Sequence, residues 1–276
     1  MNKAIKSVLL SLFLSFMTIF VNGTEAFAFQ CESYLGYKYQ LVQNIKDVVN
    51  DEFIPPRSWA AAFAELALNT HLISQTDPIL NEMGLIVEGG GLCGPTCVAN
   101  IAASIDYYKN NKSLYWVYNS HIFIDGIIRN YAVVAKSLRE PIELDPRFGT
   151  YITPFLSEYN PKNVDLRLNV RKIKPNSTKI FSNQFRMLNS ILLGFVAFNP
   201  VIKNNNTLGH AIVILGVNEK SKQIMIVDPN TPSDVLATSY EIINNEIYFY
   251  LDSALYGDKG QNLVVLEEVT SFTIRK

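Results

Sequence analysis

Histidine, cysteine and net charge are all in short supply. The chain of 276 residues has three histidines and three cysteines, and its formal net charge is -1. With 24 Lys and Arg against 25 Asp and Glu, it has no basic surplus for a nucleic-acid surface or a polybasic membrane patch. No nucleic-acid partner is expected. The one long apolar run, Val8 to Val21, is short for a membrane span. There is no phosphate-binding P-loop, and Gly89-Gly90-Gly91 does not make a dinucleotide fingerprint. Cys93 and Cys97, with His210 and Asp228, lack the second closely spaced pair that structural zinc sites use. No cofactor and no metal are expected. Repeats and low-complexity tracts are missing too. What remains is aromatic-rich (12%) and moderately charged (18%), the composition of a folded globular chain.

The N-terminus reads as a targeting segment. Lys3 and Lys6 precede the apolar run, and Ala26-Phe27-Ala28 fits a small-x-small cleavage site. Residues 1–28 are therefore read as a signal peptide. Its removal leaves a secreted or periplasmic chain with no stable membrane anchor. Phe29-Gln30 before Cys31 is a poor lipobox. An exported chain with Cys31, Cys93 and Cys97 must leave at least one thiol unpaired, short of an intermolecular bridge. Two arrangements stay open: a Cys31–Cys97 bridge with Cys93 free, or a buried and inert Cys97.

Taken in order, residues 29–84 form an N-terminal extension, helical in pattern, that could also be a removable pro-segment. Leu41 to Val49 spaces its apolar residues like a short helix, and Ser58 caps a second over Trp59 to Leu68. Asn81 to Gly91 reads as a loop. A helix then runs from Cys93 to about Tyr108. Trp116 to Ser120 is short and aromatic, and could line a substrate wall. His121 to Leu138 and Ser182 to Leu193 read as helices, with irregular Pro-rich chain over Pro141 to Asn160. Val164 to Ile173, Phe195 to Phe198, His210 to Val217, Gln223 to Val227, Ile247 to Leu251 and Leu263 to Leu266 read as strands. Gly149, Gly194 and Gly257 look like turn residues. Helices first and strands after argue for an α+β fold, with a mostly antiparallel sheet and a main domain over residues 85–276.

The chemistry gathers at Gly89 to Ser104. Gly94 and Pro95 suit a helix start, and the small apolar residues from Val98 to Ile105 suit a buried helix. Cys93 thus stands among free backbone N–H groups at the positive end of a helix dipole, a place that lowers a thiol pKa and can hold an oxyanion. His210 opens an apolar strand behind an Asn-rich loop, at the rim of the sheet, where a base is needed. His71 and His121 sit at helix ends and read as structural or surface residues. Asp228 ends the strand expected to pair with the His210 strand. A tight hairpin puts it beside His210, within reach of imidazole Nδ1–H. Asn230 is an alternative orienter of the ring.

Leu92-Cys93-Gly94-Pro95-Thr96-Cys97, Leu208-Gly209-His210-Ala211-Ile212-Val213 and Ile226-Val227-Asp228-Pro229, in that order, resemble the C39-like cysteine peptidases of the papain-like group. The resemblance covers about Leu85 to Pro229, with a long insertion in the middle. It implies a papain-like fold, with Cys93 as nucleophile, His210 as base and Asp228 as orienter, acting on a peptide or protein substrate. The family usually has a Gln shortly before the nucleophile that lends an N–H to the oxyanion hole. Here Leu85-Ile86-Val87-Glu88-Gly89 supplies none. An acyl transferase of the transglutaminase or amidase kind would use the same three residues. A binding protein on a decayed peptidase scaffold would need none of them.

Overall fold

Small side chains decide where the Cys93 helix can lie. Gly94, Ala99, Ala102 and Ala103 let neighbours approach it from several sides, and every residue from Cys93 to Tyr107 is buried. A helix buried on every side belongs inside the protein, and its polar Asn100 and Ser104 are hydrogen-bonded there. The computed structural model describes residues 39–49, 54, 57–85, 92–137, 168–173, 191–198, 209–252 and 261–274. In chain order these form β1 (Tyr39–Val42), α1 (Ile45–Val48), α2 (Trp59–Leu68), α3 (Pro78–Glu82), α4 (Cys93–Lys109), α5 (Tyr115–Tyr118) and α6 (Ser120–Ser137). Then come β2 (Leu168–Ile173), β3 (Ile191–Phe198), β4 (Gly209–Asn218), β5 (Gln223–Val227), β6 (Val235–Ile243), β7 (Glu246–Asp252) and β8 (Gln261–Ile274). The fold is α+β: apart from β1 the helices come first, and the strands of a curled antiparallel sheet follow.

The sheet curls because β7 pairs with both β6 and β8, while β6, β5, β4, β3 and β8 pair in succession. These six strands make a closed ring. β1 extends it along β6, and β2 along β8. Ile212, Ile214, Ile224, Ile226, Phe249, Val264 and Leu266 belong to one apolar cluster, within the ring. Ala211, Val213, Leu215, Met225 and Val227 face the other way and share a second core with α4 and α2. With both faces buried, β4 and β5 read as continuous apolar runs without alternation.

α2 forms where its cap and composition place it. Ser58 Oγ accepts the Ala61 N–H at 3.1 Å, and Trp59, Phe63, Ala64 and Ala67 pack into the core that holds Cys93 and Cys97.

Several elements differ from the sequence reading. Leu41 to Val49 is not one helix: β1 pairs with Val235–Thr238 of β6, and only α1, a single turn, follows. An open strand edge gives 39–42 ladder partners that helical spacing cannot reveal. Ile191, Leu192 and Leu193 belong to strand β3, not to the end of a helix, because a short apolar run fits either state. Residues 182–190 lie outside the described residues, as do the expected signal peptide, the Pro141–Asn160 segment, and Gly149 and Gly257. Among the described residues, no helix is long and apolar enough to cross a membrane.

Gly194 lies within β3, not in a turn. A Cβ there would stand 2.8 Å from Ile214 Cδ1 and 3.1 Å from Leu266 Cδ1, both side chains of the ring interior. Gly194→Ala is expected to destabilise the fold by about 1–3 kcal/mol through overpacking, read from the urea midpoint. An unchanged midpoint would mean that the interior has room to spare.

Candidate active site

Three elements meet at Cys93. It is the first residue of α4, whose N-cap Leu92 offers no side-chain hydrogen bond. The Pro95 ring removes one N–H from the first turn, so the Cys93 and Gly94 amides supply the donors there. His210 is the second residue of β4, and Asp228 follows the last residue of β5. All three are buried: Cys93 is 4% exposed, His210 2% and Asp228 1%. So little water makes their mutual electrostatics strong.

A β-bulge sets the alignment of the second and third residues. Val217 pairs with Ile224 and Gly216 with Met225, but the register then slips so that Ile214 pairs with Ile226. The extra residue, Leu215, reverses which side chains point inward. Val217 lies within the ring on one side of the slip, Ile214 and Ile212 on the other. Continuing that alternation to the strand ends puts His210 and Asp228 on the same face. An unbulged hairpin would set them on opposite faces.

His210 Nε2 donates to Asp228 Oδ1 at 3.0 Å. Asp228 holds Nε2 of the ring, not the Nδ1 that the hairpin argument predicts. Cys93 lies against the Ala211 backbone and hydrogen-bonds the imidazole, and with Nε2 taken by Asp228 the nitrogen left for it is Nδ1. Nε2 extends further and reaches the neighbouring strand. Asn230 does not orient the ring. Its backbone N–H and its Nδ2 both donate to Asp228 Oδ1, at 2.8 and 2.9 Å.

The charge states follow from these contacts. Burial by itself would raise the Cys93 pKa. The hydrogen bond and charge of His210 outweigh it, helped by the Ala211 and Gly94 backbone, and the thiol sits below its ordinary value. Burial would lower the His210 pKa, but the Asp228 charge and hydrogen bond, reinforced by Cys93, push it up to about 10. The arrangement therefore favours a thiolate facing an imidazolium. Cys97 differs. Burial, with the charges of Cys93 and Asp228, drives its pKa well up, and its Sγ–H donates to Ala211 O at 3.6 Å. Both thiols are free. Cys97 is thus an unreactive core thiol, and Cys31 lies outside the described residues.

No family model matches the chain, and no curated protein matches it.

Other expected residues fall elsewhere. Trp116 packs edge-on against Phe123, ring centroids 5.7 Å apart, and is partly buried against the core. His71 is exposed beyond α2, and His121 lies in the first turn of α6. Gly89 to Gly91 and Glu88 lie outside the described residues. Among the described residues no group of three or more His, Cys, Asp or Glu could hold a metal ion.

Sequence reasoning missed Ser74, Gln75 and Asn100. Asn100 Oδ1 accepts the Ile73 N–H at 3.1 Å, and its Nδ2 donates to Ile73 O at 2.9 Å. Gln75 Nε2 donates to Asn230 Oδ1 across 155 residues of sequence. No local motif marks such a contact.

Proposed function

We propose that the protein is an exported papain-like thiol hydrolase that cleaves peptide bonds through Cys93, His210 and Asp228. The observation that carries this reading is the buried series of contacts from Cys93 to His210 to Asp228 at an uncapped helix start. A Cys-bearing helix packed on an antiparallel ring supports the papain-like assignment, and the charged-then-apolar N-terminus supports export. In the first step the Cys93 thiolate attacks the carbonyl carbon and forms a C–S bond. The backbone N–H of Cys93 is placed to receive the developing oxyanion. His210, as imidazolium, gives its Nδ1 proton to the leaving amine as the C–N bond breaks. The neutral ring then takes a proton from water, whose oxygen attacks the thioester and releases Cys93 as thiolate. Asp228 holds the ring by Nε2–H throughout.

Iodoacetamide tests the reading. At pH 6.5 the folded protein is expected to be alkylated at Cys93 at least about tenfold faster than at Cys97, with loss of peptide hydrolysis in step. Equal labelling, or an alkylated protein that still hydrolyses peptides, would sink it.

A further inference from the structure

Asp228 has a single carboxylate oxygen in use. Oδ1 takes three donors, His210 Nε2, Asn230 N and Asn230 Nδ2, while Oδ2 is buried and has no hydrogen-bond partner among the described residues. A carboxylate held through one oxygen turns easily about that point. Its orientation therefore depends on where the Asn230 side chain is held. The other end of that side chain, Oδ1, accepts from Gln75 Nε2.

The chain at Ser74 and Gln75 is anchored to the same turn by two bonds. The Gln75 backbone N–H donates to Pro229 O at 2.9 Å, and Ser74 Oγ donates to Asn230 O at 3.1 Å. One residue further back, Asn100 grips both the N–H and the C=O of Ile73. Asn100 lies two turns along α4 from Cys93, on the same side of the helix. Residues 73–75 thus form a strut between the helix that carries the thiol and the turn that carries the carboxylate.

We propose that Gln75 is a positioning residue of the Cys93–His210–Asp228 site, acting through Asn230 to hold the Asp228 carboxylate against His210. The backbone anchors fix the turn, and the side chain of Gln75 fixes the carboxylate within it. The N-terminal segment is then part of the site and not a cover over it: its removal would leave Asp228 free to turn away from the ring. The inference rests on the hydrolase reading above.

The test is the pH profile of Cys93 alkylation in the full chain, in Gln75→Met and Gln75→Glu. Both variants keep the backbone N–H to Pro229 and lose the side-chain donor. Among the described residues the titratable groups around the thiol are Cys97 of α4, His210 of β4 and Asp228 of the turn, and neither variant replaces any of them. Met adds no charge, so it controls for the carboxylate that Glu introduces. Both variants are expected to unfold cooperatively, to shift the alkylation midpoint up by about one pH unit, and to react about tenfold more slowly at pH 6. A role confined to folding would lower stability and leave the midpoint in place. Folded variants whose profiles overlay the wild type would overturn the proposal and leave the hydrolase reading standing. A wild-type profile that is already that of an ordinary thiol would overturn both.

Discussion

His210→Gln is expected to slow alkylation of Cys93 at pH 6.5 by about a hundredfold or more. Glutamine is close to histidine in size and can still donate to Asp228, so the strand pair should hold. What it cannot do is carry a proton as a cation. The hydrogen bond and charge of His210 are the leading influences that hold the Cys93 thiol below its ordinary value. Without them burial dominates, and a buried thiol rises as Cys97 does a turn away. Two pKa units correspond to about a hundredfold less thiolate, and the loss grows with each further unit. Peptide hydrolysis should fall further, by about 10⁴ or more, because the same ring also protonates the leaving amine. Alkylation rates across pH 5–10 in both proteins check this. A His210→Gln protein that reacts within threefold of the wild type would show that the helix start alone activates the thiol.

That outcome turns on geometry which the sequence reveals unevenly. Cys93 was legible because its neighbours are local: Gly94 and Pro95 start a helix, and small residues bury it. His210 was legible because histidines are few and only one opens a strand. Asp228 was legible from hairpin topology, though the reasoning was coarser than the structure. A tight hairpin places two strand ends together but does not say which faces they share. The bulge at Leu215 decides that, and nothing in the apolar run Ile212-Val213-Ile214-Leu215 signals an extra residue. The choice of ring nitrogen was missed for a related reason. It depends on Cys93 approaching beside the Ala211 backbone, a contact between elements far apart in sequence.

The sheet was legible where strands are bounded by turns, as at β4 and β5. β6 was not expected. Val235 to Thr238 is buried on both faces, and Ala237, Thr238 and Ser239 blur the apolar pattern. β1 was misread because a strand that borrows an edge needs no pattern of its own. The Gln75–Asn230 contact lies beyond any local rule, since amide side chains are as common in loops as in sites.

Replacing Asp228 by Asn should cost most stability at acid pH, and the sign follows from His210. In the folded protein His210 is raised to about 10, against an ordinary value of 6.5. A group raised on folding contributes stability that is full below its unfolded value and is lost as pH rises through its folded value. The His210 contribution is therefore complete below about pH 6.5 and fades towards pH 10. Cys93 works in the opposite sense. Its folded value is lowered, so its contribution appears only above that value and would offset the loss at His210. The comparison is best made in a Cys93→Ser background, where the thiol no longer titrates. There, Asp228→Asn removes the carboxylate charge that raises His210 and leaves an amide of the same shape for Asn230 to bond. Burial then opposes protonation with less to counter it. At pH 5 the unfolded histidine binds its proton freely and the folded one does so at greater cost, so the substitution should destabilise by about 3 kcal/mol. The difference should shrink steadily as pH rises above 6.5, because the unfolded histidine also gives up its proton. Urea denaturation of the Cys93→Ser pair at pH 5, 7 and 9 measures it. A difference that stays constant with pH would mean that Asp228 acts as a hydrogen-bond acceptor alone and that its charge does not set the state of His210.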